Sequence, residues 1–123
     1  KYNLQNNIYL LGFKTNVFKY FKRAKGFILS SLWEDPGWVL VEAIYSNTAV
    51  ISSDCPSGPK EFIGNNENGF IYDLNDEKSF KKELDNFLSI PEEQLLKKKI
   101  KAKKRSRMFT GYYNYKKLSN LLN

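Results

Sequence analysis

The sequence contains no histidine. That removes the commonest general base, and with it any Ser-His-Asp or Cys-His arrangement, so chemistry must rest on carboxylates or on residues outside this chain. The single cysteine, Cys55, cannot close an intramolecular disulfide, and without histidine a Cys/His zinc site is out of reach. No metal site is expected, Cys55 reads as a small apolar packing residue, and a reducing, cytoplasmic setting fits. No window approaches the roughly eighteen consecutive apolar residues of a membrane span. The start, KYNLQNNIYLLG, lacks the basic, apolar and small-residue succession of a secretory signal, so no export is expected.

What the chain does have is enough apolar and aromatic content, 41% and 15% over 123 residues, to bury the core of one small domain. The formal charge of +7 is concentrated in one place. Residues 97–107 (KKKIKAKKRSR) hold eight of the 20 basic residues and no acid, which leaves the remainder close to neutral. Such a block reads as a solvated helix face or tail, or as a contact for anionic lipid headgroups, a lipid-phosphate acceptor or nucleic acid. Aromatic residues are not interleaved with it as a single-strand platform requires, so nucleic acid ranks last.

Apolar runs alternate with helical patterns, as in a parallel sheet covered by helices. The runs at 8–12 (IYLLG), 27–31 (FILSS), 49–53 (AVISS) and 69–74 (GFIYDL) predict four strands. Val17, Phe18, Phe21 and Ala24 recur at helical spacing, with Thr15 or Asn16 as a cap. Asp35 before Pro36 signals a helix start, Val39, Leu40, Ala43 and Ile44 give its apolar face, and Asn47 ends it. A short helix is predicted over 60–63 and a turn over 65–69. Three helices follow: one carrying Phe80, Leu84, Phe87 and Leu88, a long basic one opened by Pro91, and one over 112–122. No repeat, linker or second domain is visible, so residues 1–123 read as a single unit.

The segment SLWEDPGWVLVEA places Glu34 and Glu42 across the predicted helix start with seven residues between them. Glu34 falls in the loop at the carboxyl end of a strand, where ligands of open α/β sheets bind, and Glu42 about two turns into the helix. At ~1.5 Å rise per residue the carboxylates would stand roughly 10 Å apart, a span suited to a sugar at one end and a ribose at the other. Between them the amides near Gly37, Trp38 and Val39 leave the helix start, where partial positive charge favours a diphosphate.

This Glu-x7-Glu segment, with YLLG before it and AVISSDCPSGPKEFI and NGFIYDLND after it, resembles the retaining glycosyltransferases of family four, the group 1 enzymes of GT-B fold. The resemblance runs through residues 9–76 in the family's order. It implies a Rossmann-like three-layer α/β unit, the partial C-terminal, nucleotide-sugar-binding domain of a GT-B enzyme. By motif position it places Glu34 at the donor sugar near the reacting centre, Glu42 on the ribose hydroxyls, and Gly12 and Phe13 near the nucleobase. Residues 56–59, with Gly58 before a helix start, would support the donor pocket. The implied activity is transfer, with retention, of a hexose or N-acetylhexosamine from a UDP- or GDP-linked sugar to a glycan or lipid-linked acceptor, in polysaccharide or lipopolysaccharide synthesis. No further cofactor is implied.

Where the family commonly has Glu-Gly-Phe-Gly, this chain has Glu34-Asp35-Pro36-Gly37, and Asp35 is expected to turn inward as a helix cap. The family's phosphate-neutralising arginine and lysine, and its N-terminal acceptor-binding domain, would precede Lys1. The chain is therefore expected not to transfer sugar alone. A peripheral position on the inner membrane face fits the basic block. Glu34 and Glu42 also read as solvated carboxylates, Gly12 and Gly58 as turn glycines, and Trp38 as a packing residue. The rival functions are a non-catalytic nucleotide-binding module and a basic nucleic-acid-binding domain.

Overall fold

A computed structural model describes residues 3–122. Three strands, β1 (Gly26–Leu29), β2 (Ala49–Ser53) and β3 (Phe70–Tyr72), form one parallel sheet in the order β1-β2-β3. Gly26 pairs with Ala49 and Leu29 with Ser52, while Ile51 pairs with Phe70 and Ser53 with Tyr72. Parallel neighbours need crossovers. These are helix α2 (Trp38–Tyr45), between β1 and β2, and helix α3 (Pro59–Ile63), between β2 and β3. A single-turn helix α1 (Phe18–Phe21) precedes β1, and α4 (Glu77–Ser89), α5 (Glu92–Ser106), a 3₁₀ turn (Arg107–Phe109) and α6 (Gly111–Leu122) follow β3.

The central strand is buried along its whole length, and its alternate side chains divide between two cores. Val50 joins Phe21, Leu40, Ile44, Phe62, Ile63 and Ala102 under α1, α2, α3 and α5. Ala49 and Ile51 join Phe70, Tyr72 and Phe87 beneath α4. The result is a parallel sheet covered by helices, as the alternation of apolar runs and helical patterns predicts, in the three-layer α/β form that the family resemblance implies, with three strands in place of four. At its first residue β1 has room only for glycine on the α4 face, since a Cβ on Gly26 would come 2.7 Å from the Phe87 ring.

Several boundaries differ from the sequence expectation. Residues 8–12 are not a strand: their backbone pairs with no other strand among the described residues, and Leu10 is 98% exposed. Apolarity makes a run willing to be buried, but a strand exists only where a neighbour completes its ladder. The first helix is capped by neither Thr15 nor Asn16, because Val17 already has helical dihedrals at the N-cap position. Leu88 lies on the exposed side of α4, whose inner face is carried by Phe80, Leu84 and Phe87. Cys55 is a buried free thiol, as its reading as a packing residue requires.

Helix ends are fixed where the sequence placed polar residues. Asp76 caps α4 by accepting from the amides of Lys78 (2.8 Å) and Ser79 (3.1 Å). Asn47, at φ 62°, turns the chain out of α2, and Thr48 there donates to the Ala43 carbonyl at 3.0 Å.

The basic run is neither a tail nor wholly solvated. Within α5, Lys103 donates to Asn47 Oδ1 (3.0 Å) and the Tyr45 carbonyl (3.4 Å), and Arg105 donates from Nε to the Glu61 carbonyl (3.1 Å). These cations meet the carbonyl ends of α2 and α3, where the helix dipole favours positive charge. Lys98 donates to the carbonyls of Asn66 and Gly69 and lies 5.0 Å from the Phe70 ring centroid. Burial there holds its pKa below the usual lysine value. Among the described residues no helix is long and apolar enough to cross a membrane.

Phe62 is fully buried and its ring stacks, tilted, 4.2 Å from that of Phe109. Phe62→Ala should cost about 3–5 kcal/mol, enough to remove most of the stability of a small domain. Urea unfolding followed by circular dichroism tests this; an unchanged midpoint would contradict the packing described.

Candidate functional site

The carboxyl ends of the three strands open on one side of the sheet, and the loops leaving β1 and β2 meet there. The ladder between these strands stops at Leu29 and Ser52. Side chains carry the pairing further: Ser53 donates from Oγ to the Ser31 carbonyl at 2.7 Å, and Tyr72 donates from its hydroxyl to the Leu29 carbonyl at 3.3 Å. Burial holds the Tyr72 phenol above its ordinary pKa. Farther along, the Glu34 amide donates to the Pro56 carbonyl at 3.2 Å. At Gly58, φ 128°, the two loops touch backbone to backbone, and a Cβ there would fall 1.9 Å from the Pro36 carbonyl oxygen.

Within this frame Glu34 is partly buried, and its Oε1 accepts from Ser31 Oγ at 2.5 Å. Its other oxygen lies over Gly37, 3.6 Å from where a Cβ on that residue would stand. Gly37 is the N-cap of α2 in left-handed backbone, φ 83°, which glycine adopts without steric cost. Among the described residues no side chain caps this helix. The amides of Trp38 and Val39 therefore begin α2 without an intrahelical partner, as the first amides of any helix do. Glu34, Gly37, Trp38 and Val39 are thus brought together at one helix start.

Asp35 is not the cap. The left-handed Gly37 delays helical dihedrals to Trp38, so Asp35 lies outside the cap position and is exposed. The same delay moves Glu42 closer to the start: it is the fifth residue of α2, little more than one turn in, rather than about two. Its side chain is half-buried. Trp38 is 51% exposed, so its ring is not a core residue. Gly12 and Phe13 stand in the open: nothing lies within 4 Å of a Cβ built on Gly12, and Phe13 is 91% exposed.

The loop whose Pro56 carbonyl accepts from the Glu34 amide shapes a cleft of about 460 Å³, formed by residues 54–58 with Lys60 and Glu61, and so includes Gly58. Lys60 pairs with Asp54 at 2.9 Å, and that hydrogen bond and charge raise its pKa above the usual lysine value. A second cleft, about 300 Å³, lies at the same strand ends, between Ser53, Tyr72 and Phe80. Among the described residues no three metal-ligating side chains gather. Sequence reading missed two residues here. Ser31 was legible only as a hydroxyl three residues before Glu34, and Lys60 only as a cation in the first turn after the PSGP loop.

Residues 1–107 match the protein family described as Glycosyl transferases group 1. Over 109 residues, 87% of this chain and 29% of the relative, the chain is 34% identical to N-acetylgalactosamine-N,N'-diacetylbacillosaminyl-diphospho-undecaprenol 4-alpha-N-acetylgalactosaminyltransferase of Campylobacter jejuni. It is 49% identical over 63 residues to an uncharacterized glycosyltransferase of Methanocaldococcus jannaschii, covering 51% of this chain and 16% of that one. It is 32% identical over 77 residues to a poly(ribitol-phosphate) alpha-N-acetylglucosaminyltransferase of Staphylococcus aureus, covering 60% and 16%. The crystal structure of TarM superposes with a TM-score of 0.78 at 26% identity, over 98% of this chain and 24% of that one. The chain thus spans between 16% and 29% of the length of these curated relatives.

The Gly58 contact has a direct consequence. Gly58→Ala must displace the Pro36 carbonyl and force alanine into left-handed backbone, for a cost of about 3 kcal/mol. A clear fall in melting temperature is expected, and a variant as stable as the parent would show that the two loops do not touch as described.

Proposed function

The chain belongs to the group 1 glycosyl transferases and has the GT-B type of α/β unit, and from this we propose that it is the donor-binding part of a longer, retaining enzyme. In this reading a hexose or N-acetylhexosamine passes from a UDP- or GDP-linked donor to a glycan or lipid-linked acceptor. The observation that carries the reading is the Glu34 carboxylate lying over Gly37 at the uncapped start of α2. A carboxylate and free amides at one helix start offer an acceptor for sugar hydroxyls beside donors for a diphosphate.

Each residue then has a role set by its place. The amides of Trp38 and Val39 face the diphosphate, and Gly37 lets the backbone approach it without a side chain in the way. Glu34 accepts from a hydroxyl of the donor sugar next to the reacting carbon, and Glu42, one turn along α2, accepts from the ribose. The half-exposed Trp38 ring stands free to flank the sugar. Gly12 and Phe13 would border the base once the donor is seated. Gly58 acts indirectly, by holding the loop of Glu34 against residues 54–58. The bond from the anomeric carbon to the diphosphate breaks while the acceptor hydroxyl attacks the same face and passes its proton to the departing phosphate oxygen, and the amides stabilise charge growing on that phosphate. No metal or further cofactor is assigned.

The names of two relatives fit the acceptor and sugar classes, since one acts on a diphospho-undecaprenol substrate and the other on poly(ribitol-phosphate), and both transfer an N-acetylhexosamine. A lipid-linked acceptor would bring the enzyme to the cytoplasmic face of a membrane. The nucleic-acid reading of the basic run is weakened, because Lys98, Lys103 and Arg105 are engaged with carbonyls of the domain itself.

Isothermal titration of the full-length enzyme with UDP, GDP and their sugar conjugates tests the reading. One nucleotide should bind, and Glu42→Ala should weaken it about tenfold, the loss of a hydrogen bond to a charged group. Binding of no nucleotide, or binding indifferent to the substitution, would overturn it.

A further inference from the structure

We propose that Ser31 is the positioning residue for Glu34, fixing its carboxylate so that one oxygen is spoken for and the other is presented at the start of α2. The inference rests on the donor-site reading above and adds a residue that the glutamate motif does not contain.

Three anchors converge on this short loop. Ser53, buried at the end of β2, donates to the Ser31 carbonyl at 2.7 Å and so ties the Ser31 backbone to the sheet. Three residues on, the Glu34 amide donates to the Pro56 carbonyl at 3.2 Å, which ties the Glu34 backbone to the neighbouring loop. Between these fixed points Ser31 Oγ donates to Glu34 Oε1 at 2.5 Å. A glutamate side chain has three rotatable bonds, and held only at its backbone it would sample several rotamers. The serine hydroxyl selects one of them. In that rotamer Oε2 lies over Gly37, the N-cap of α2, 3.6 Å from where a Cβ on that residue would stand.

The arrangement is directional in a useful way. Ser31 donates and the carboxylate only accepts, so Oε1 is occupied before any ligand arrives and Oε2 keeps its full acceptor capacity for a sugar hydroxyl. A reacting group held in place by its supporting shell contributes to the rate through orientation, and misplacement by about 1 Å can cost up to a hundredfold. Loss of Ser31 should therefore appear in turnover. Nucleotide binding should be spared, because the amides and Glu42 do not depend on the Ser31 hydroxyl.

The test compares Ser31→Ala, Ser31→Thr and Glu34→Gln in the full-length enzyme, with kcat for sugar transfer and Kd for the nucleotide product measured on each. Ser31→Ala should lower kcat about tenfold or more with Kd within about twofold of the parent, and Ser31→Thr, which keeps the hydroxyl, should recover most of the activity. Wild-type kcat in Ser31→Ala beside an impaired Glu34→Gln would overturn the positioning role while leaving the donor-site reading intact. A parallel loss of nucleotide affinity, or no rescue by threonine, would overturn it in favour of a general loop defect. Wild-type turnover in Glu34→Gln would remove the assigned role of Glu34 and this inference together.

Discussion

Everything in this domain follows from a strand that has no solvent-facing side. β2 is covered on both faces and paired in parallel at both edges, where its backbone groups need partners away from water, and its alternating side chains divide the interior into two cores. Parallel pairing in turn sends each crossover helix back over the sheet, so the loops that follow β1 and β2 emerge at the same end. The candidate site is where those two loops meet. Its geometry is thus inherited from the burial of Val50 and Ile51 rather than from any feature of the loops alone.

The loops add their own fastening where the backbone ladder runs out. Side-chain hydroxyls of Ser53 and Tyr72 take over from amides, and the amide of Glu34 and the flat surface of Gly58 complete the join. On the far side of the domain, cations of α5 meet the carbonyl ends of α2 and α3. The helix that offers its free amides to the site therefore has its opposite end neutralised by the same chain. The basic block, which in a linear reading looks like an interaction tail, is in part the domain's own capping apparatus.

How much of this could be read from residues alone depends on whether the signal is local. The strand AVISS was legible to its exact limits because five consecutive residues are buried and the flanks are polar, and α4 was legible from its phenylalanine spacing. The run IYLLG failed for the opposite reason: its apolarity is local, but a ladder partner is not. The start of α2 was misplaced because Asp35-Pro36 is a strong capping signal, and nothing in the sequence says that Gly37 is left-handed. Of the site, Glu34, Gly37, Trp38 and Val39 were named from one segment because they share one loop and helix start. Ser31 and Lys60 act through partners in space, and sequence order gave them no distinction.

The contact between Gly58 and Pro36 has a practical side for anyone wishing to change what the site accepts. Loops at the ends of parallel strands are the usual targets for transplantation between related enzymes, one at a time. Here the loop of Glu34 and the loop of residues 54–58 share a backbone-to-backbone seam with no side chain to yield. A graft that replaces either loop alone imports half of a fitted pair, so the two segments form a single module for exchange.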